Sequence, residues 1–462
     1  MIESATMADW ERIYRDFDPE QPVTEHSEWR VRRPRSPADR VIRLLDLPTG
    51  PTRILLTGTV GSGKSTELFR IAEARAGKEF VLFLDLDRHF TRVVGDPAAL
   101  RKVAPWEVCF LVGVALARAV EERLGEPFPK AFLKDLEDAW RSAARASDTP
   151  DPGEFDVAAL GKAMLMFASA APAAIAGSPT AAGVALATSG LLALKEAIGG
   201  AKWRLGLGKS KKDLVDQDDE LRGMLLVVNR MIAEIQRQHQ PVLLVIDGLD
   251  RITDLGHARA LFVDSQMLSQ FECASVVCGP FALRHRPELA NVRGFRAVTL
   301  VNEPVMDKGD LRQTSDGVEV LQKIFYSRVG DDTTLVEAAL LQRLAWCSGG
   351  RARDFIRFVR MLAEQVLLDG AQAASAAHVE AVLDEARRLR ETGLNTHHIK
   401  VLRALAMDSA RRMPADAEAW NLLNWDCILP YPNDSEWFCP HPLLLLRLVS
   451  TWPTGSDASS TS

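Results

Sequence analysis

RILLTGTVGSGKSTELFRIAEARAG, from Arg53 to Gly77, is the stretch whose reading decides the fold. It opens with a short apolar run, Arg53 to Gly58, that ends in glycine and reads as a buried strand. A glycine-rich turn follows, and Ser65 to Gly77 then carries helical periodicity before stopping on another glycine. Gly58, Gly61 and Gly63 let backbone amides curl around an anion without obstruction by side chains, and the helix beginning near Lys64 adds the positive end of its dipole. The pattern GxxxxGK[ST] is met in full by Gly58 to Ser65. It predicts that Gly58, Thr59, Val60, Gly61, Ser62, Gly63, Lys64, Ser65 and Thr66 cradle the phosphates of ATP. Lys64 would reach the β and γ phosphates as a point charge, and the Ser65 hydroxyl would complete the shell of a Mg2+ ion.

Magnesium needs a second hard oxygen ligand, so the other half of such a site is an acidic residue ending a buried strand. Asp247 in PVLLVIDGLD, Pro241 to Asp250, meets that requirement. Asp250 lies one turn further on, where it would orient or activate the attacking water. Three more apolar runs read as strands: FVLFLDLD at Phe80 to Asp87, CASVVCGP at Cys273 to Pro280, and FRAVTLV at Phe295 to Val301. Together these give a five-strand parallel α/β core.

The interval between the second and third of these strands is much longer than an ordinary crossover, so residues from about 96 to 213 read as a helical insertion. Trp106 to Leu124, Lys130 to Ala146 and Leu214 to Gln238 show helical patterns. Ala163 to Leu194 carries no charge, and its length matches a membrane span. Its Pro172, Pro179 and abundance of small residues favour a soluble hairpin or self-association element instead. Residues 1–37 read as an N-terminal arm and 38–304 as the core. Residues 305–392 read as a helical lid, and 393–450 as a winged-helix-like unit of helices followed by two extended runs. Residues 451–462 read as a disordered tail.

Bulk composition is that of a globular chain: 462 residues, 47% hydrophobic and 26% charged, enough to bury a sizeable core over two or three domains. A net charge of -6 gives no global attraction to nucleic acid, so any DNA contact would have to come from a local patch. The six cysteines are scattered without CxxC spacing, which speaks against a structural zinc site and for a reduced cytosol. The polar, acidic opening MIESATMADWERIYRDF lacks a secretory pattern, so the expected location is cytoplasmic. Inner-membrane association through 163–194 is the alternative.

GTVGSGKST, LLVIDGLDR, the strand SVVCGP, the helix start SGGRAR and the terminal unit together resemble the AAA+ and STAND group of ATPases. The likeness is greatest to the origin-recognition-like and NACHT-like branches and covers about 38–449. It implies a sheet in which another strand separates the Asp247 strand from the phosphate-loop strand. Gly350 and Arg353 match that group's sensor-2 pattern GxxR, which implies a cation reporting the γ phosphate, with Arg351 as a neighbour able to substitute. Cys278 stands at the sensor-1 position, where the group carries Ser, Thr or Asn. Arg284, Arg286 and Arg293 stand where an arginine finger would project toward a neighbouring subunit. Gly248 replaces the acidic residue with which AAA+ enzymes polarise water, and this implies slow hydrolysis. The uncharged insertion is also similar to that of KAP-type ATPases, which carry membrane helices there.

Rival nucleotide readings fail on order. The string SKKD at Ser210 to Asp213 precedes the Asp247 strand and lacks the Asn or Thr of a guanine-reading motif. CSGGRAR comes after that strand, not before it as an ABC signature does. The sequence reading is therefore an ATP-binding, slowly hydrolysing switch, implied by the resemblance to be a homo-oligomer or to have an effector protein partner, in bacterial defence or signalling. The alternatives are a DNA-binding initiator-type ATPase, a membrane-associated KAP-type ATPase, and a scaffold that holds ATP without turnover.

Overall fold

A computed structural model of the chain describes residues 7–19, 27–34, 36–47, 50–147, 157–163, 205, 207–208, 218–285, 292–330, 334–431 and 436–448. They divide into two compact units, one drawn from 36–58 and 64–299, the other from 1–35, 59–63 and 300–462.

The first unit is built on a five-strand sheet of β1 (Arg53–Gly58), β2 (Phe80–Asp85), β3 (Val242–Asp247), β4 (Ala274–Gly279) and β5 (Arg296–Leu300), in the order β2-β3-β4-β1-β5. The pairs β2/β3, β3/β4 and β1/β4 are parallel, and β5 lies beside β1, where the Thr57 and Thr299 hydroxyls approach to 3.2 Å. As the resemblance implies, β4 separates β3 from β1. The near-continuous apolar runs reflect burial on both faces, since parallel strands are covered by helices on either side. Phe80, Leu82 and Leu84 of β2 and Val242, Leu244 and Ile246 of β3 alternate along their strands. They share one core with the helices Pro105–Leu124, Lys130–Ala146 and Asp218–Gln238. Phe83 points to the opposite face, where its ring meets Phe69 of the helix Lys64–Arg75 edge-on at 6.0 Å. The helix behind the phosphate loop thus covers one face of the sheet and the long helices cover the other.

The described part of the region expected as an insertion is integral to this core. Trp140 is fully buried, with ring centroids 4.4 Å from Phe110 and 4.7 Å from Trp106. The apolar run VCFLVGVALA makes the helix Pro105–Leu124 buried on almost every side, so it acts as the centre of the unit. At its start Glu107 turns back to accept the Ala104 amide at 2.7 Å and also takes the Gly208 amide at 3.0 Å. Burial raises its carboxyl to about 7 despite these bonds. Apart from Ala163, the 163–194 segment lies outside the described residues, and among the described residues no helix is long and apolar enough to cross a membrane.

The second unit is helical. The helices Gly317–Val329, Ala338–Cys347, Ala352–Asp369 and Ala376–Glu391 share a core with the antiparallel ribbon of β6 (Ile428–Tyr431) and β7 (Trp437–Pro440). Described residues of the region 1–35, part of the 1–37 segment read from sequence as an arm, contribute structure here instead. The helix Met7–Asp16 lies along Ala352–Asp369 and buries Trp10, Ile13 and the following Phe17 in the same core. The Trp10 indole N–H donates to the Gln372 carbonyl at 2.9 Å, which satisfies its one polar atom. The spacing of Trp10, Ile13 and Phe17 puts all three on one face of a helix, which accounts for the departure. In the ribbon, Tyr431 stacks on Trp437 at 4.7 Å and donates its hydroxyl to the Gly349 carbonyl at 3.0 Å. All six cysteines are buried and none forms a disulfide.

Candidate phosphate and metal site

In the sheet unit the expected residues converge at the C-terminal ends of the parallel strands. Lys64, the first residue of its helix, is buried and donates to the Gly58 carbonyl at 2.9 Å. Its ammonium also stands 2.8 Å from the Asp250 carboxylate. Burial opposes the charge on Lys64, but Asp250 beside it and Asp247 further off outweigh that and hold the ammonium above its ordinary range. The same pair works on Asp250, where burial is overcome by the lysine and the carboxyl is held below its usual range. Asp250 is therefore the counter-ion of Lys64.

Asp247 ends β3, and its carboxylate accepts the Gly248 amide at 2.8 Å. The Ser65 hydroxyl is hydrogen-bonded to it as well. Burial, then the charges of Asp85 and Asp250, raise its carboxyl to about 7. Asp85 is the residue that the sequence reading passed over. It ends β2 directly across from Asp247 in the parallel register, and burial lifts its carboxyl too. The signal was present in FVLFLD, an acidic residue closing an apolar run, the same signal that singled out Asp247. Cys278, at the end of β4, completes the group: one donor atom each from Asp247, Asp250 and Cys278 lie within 4.8 Å of one another. Burial and the two carboxylates keep its thiol well above the usual range, so it is neutral here. Oxygen donors from Ser65 and Asp247 suit a hard dication such as Mg2+, and a neutral thiol does not add to that preference.

The loop residues 59–63 belong with the helical unit, where the Val60, Gly61 and Ser62 carbonyls each have a donor. Arg351 gives one N–H to the Val60 carbonyl at 2.7 Å, and the Arg353 backbone N–H reaches the Gly61 carbonyl at 3.4 Å. Arg33 donates to the Ser62 carbonyl. Thr59 donates its hydroxyl to Asn302 at 2.9 Å, and the Ser62 hydroxyl donates to the Thr59 carbonyl at 2.8 Å. Gly61 and Gly63 sit at φ +80° and +98°, which favours glycine. A Cβ on Gly63 would stand 2.5 Å from the Arg33 guanidinium, and one on Gly61 would stand 3.1 Å from Arg353 Cβ.

Of Arg351 and Arg353, the arginines on which the sequence reading placed a sensor-2 expectation, Arg351 is the buried one. Besides Val60 it binds Asp354 at 2.7 Å and Asp426 at 2.6 Å. Asp354 is also bound by Arg390 at 2.8 Å and faces His441 at 3.4 Å. Burial opposes the charge on Asp354, but Arg351 and Arg390 hold its carboxyl well below the usual range. Arg33 and the carboxylate cluster around Arg351 were not found by sequence reasoning; RVRRPRSP shows a basic run without revealing which member folds inward. Thr66 is half-buried. Arg284 and Arg293 are exposed on the sheet unit, and Arg286 lies outside the described residues.

Strand order, the GxxxxGKS motif following β1 and an acidic residue closing β3 one strand away define the P-loop ATPase fold in its AAA+ arrangement. Neither a family model nor a curated protein matches the chain. Among solved structures it is similar to Cdc6p from Pyrobaculum aerophilum, at 14% identity and a TM-score of 0.36 over 94% of this chain and 96% of that one. It is also similar to the Aeropyrum pernix ORC1 protein in complex with DNA, at 13% identity and a TM-score of 0.37 over 95% of each chain. A third is the Aeropyrum pernix ORC2 protein in its ADP form, at 14% identity and a TM-score of 0.39 over 94% and 96%.

Proposed function

We propose that this chain binds MgATP through Gly58–Thr66 and hydrolyses it slowly, as a switch that changes state with its nucleotide. The observation that carries this reading is the Lys64 ammonium paired at 2.8 Å with Asp250, in the same group as Asp247. A buried lysine held by a replaceable carboxylate is a cation waiting for a different anion. On binding, Lys64 exchanges Asp250 for phosphate oxygens, and the exchange frees Asp250 to orient a water or accept its proton. Ser65 and Asp247 would hold Mg2+, which supplies charge neutralisation at the phosphates. Gly248 follows Asp247 where an acidic residue would speed the attack, and this supports slow turnover.

The domain scheme belongs to the same proposal: residues 305–392 act as a lid and 393–450 as a winged-helix-like module that meets an effector protein or DNA. Arg353 would report the γ phosphate, and the working form would be an oligomer, in bacterial defence or signalling. Lys64→Ala tests the core of the reading. Binding of a fluorescent ATP analogue should be lost in a variant that keeps the wild-type circular dichroism spectrum, and unchanged affinity would refute it. Asp247→Ala should impair magnesium-dependent phosphate release more than binding. Light scattering with and without ATP tests assembly.

A further inference from the structure

We propose that Arg351 is a positioning residue that sets the orientation of the phosphate loop from outside and ties that orientation to the C-terminal ribbon. The inference rests on the reading of Gly58–Thr66 as an ATP site and adds to it a role for residues that would never touch the nucleotide.

A trans peptide is planar, so the carbonyl of one residue and the N–H of the next point in opposite directions. Fixing a carbonyl on the outer side of a loop therefore aims the following amide at its inner side. Arg351 fixes the Val60 carbonyl and so aims the Gly61 N–H. Arg33 fixes the Ser62 carbonyl and aims the Gly63 N–H. The Arg353 backbone N–H holds the Gly61 carbonyl between them. A loop that binds anions through main-chain amides needs such orientation, and here the donors that impose it at Gly61 and Gly63 come from two separate places in the sequence, while the Ser62 amide between them donates to the Thr59 carbonyl at 3.3 Å.

Arg351 differs from the other two in what holds it. Its side chain is 4% exposed, and its guanidinium is shared between the Val60 carbonyl, Asp354 and Asp426. Asp426 stands at φ +58°, a left-handed backbone that a non-glycine residue adopts at some cost. It lies immediately before Cys427 and β6, and the neighbouring Arg390 donates to its carbonyl at 3.0 Å. A shift of the ribbon that moved Asp426 would be felt at the Val60 peptide through one planar group. A guanidinium can bridge a carbonyl and two carboxylates at once; a lysine ammonium in its place is a single point on a shorter reach.

The test is a double-mutant cycle on MgATP affinity with Arg351→Met and Asp426→Asn, read by titration calorimetry on the full-length chain. Arg351→Met should weaken MgATP at least tenfold and Asp426→Asn severalfold, with the double variant no weaker than Arg351→Met alone. Arg351→Lys should fall between wild type and Arg351→Met. A purely structural role would lower thermal stability without changing the dissociation constant of the folded fraction. Should Arg351→Met not fold, Asp426→Asn and Arg351→Lys carry the test. Folded variants that bind MgATP as wild type does, or effects that simply add, would overturn the proposal. Wild type that binds MgATP and loses it in Lys64→Ala separates that outcome from failure of the ATP reading, whereas wild type that binds no MgATP overturns both.

Discussion

Replacing Asp247 with asparagine should stabilise the nucleotide-free protein, and the gain should depend on pH. The carboxyl is raised from 3.8 to about 7 by burial and by the charges of Asp85 and Asp250. The folded state therefore holds a proton that the unfolded chain releases. Stability from this group is fully present below the unfolded pKa near 4 and declines as pH rises toward 7, then stays flat. At about 1.4 kcal/mol per unit, a shift from 3.8 to about 7 sets a ceiling of about 4 kcal/mol. Because Asp85 and Asp250 titrate with it, the measurable part is smaller, about 1–3 kcal/mol. An amide carries no charge to bury and can still accept the Gly248 N–H through its oxygen, so Asp247→Asn should recover that amount at pH 8 and progressively less toward pH 4.5, the gain vanishing only below the unfolded pKa near 4. For a unit of this size the gain at pH 8 corresponds to a rise in Tm of about 2–4 °C per kcal/mol. Urea melts in EDTA across pH 4.5 to 8.5 measure it. A variant less stable than wild type at pH 8, or a difference independent of pH, would refute the electrostatic account of the site.

The same carboxyl makes metal binding proton-linked. Apparent affinity for MgATP should strengthen between pH 6 and 7, by up to about tenfold per unit, and level off above. Calorimetry in two buffers of different ionisation enthalpy should find about three-quarters of a proton released at pH 6.5. Gly350→Ala tests the turn before Arg351: the backbone there is at φ +78°, and a Cβ would meet the Glu303 carbonyl oxygen at 1.9 Å. Its cost should exceed about 3 kcal/mol, read as a fall in melting temperature with wild-type far-ultraviolet spectrum at low temperature.

Much of the sheet was legible because its signals are local. Apolar runs closed by Gly or Asp marked four of the five strands, β5 being read from the run FRAVTLV alone, and β1 runs from Arg53 to Gly58 as read. The strand order was legible only through the resemblance, since periodicity says which residues face a core and not which strands are neighbours. The pairing of Lys64 with Asp250 was not legible, because it depends on how the turn after β3 folds back through the left-handed Gly248. Arg351 and Arg353 are two residues apart, and although Arg353 is the one that fits GxxR, the sequence does not show which of them is buried. What separates them is that Arg351 precedes the helix Ala352–Asp369 on an extended backbone and turns its side chain inward to Asp354. The helix Met7–Asp16 was missed for a different reason. Its apolar face is only three residues wide and becomes decisive once Ala352–Asp369 offers a complementary face.

The six cysteines give the molecule a practical property. Each thiol is shut away from solvent and pushed above its ordinary pKa by that burial, so the thiolate that alkylating reagents attack is scarce at every position. The folded chain is accordingly a silent background for maleimide chemistry. A fluorophore could be placed on one cysteine introduced at an exposed position such as Lys400 without first removing the native six. The natural thiols would then serve as internal reporters, becoming reactive as their own part of the chain opens.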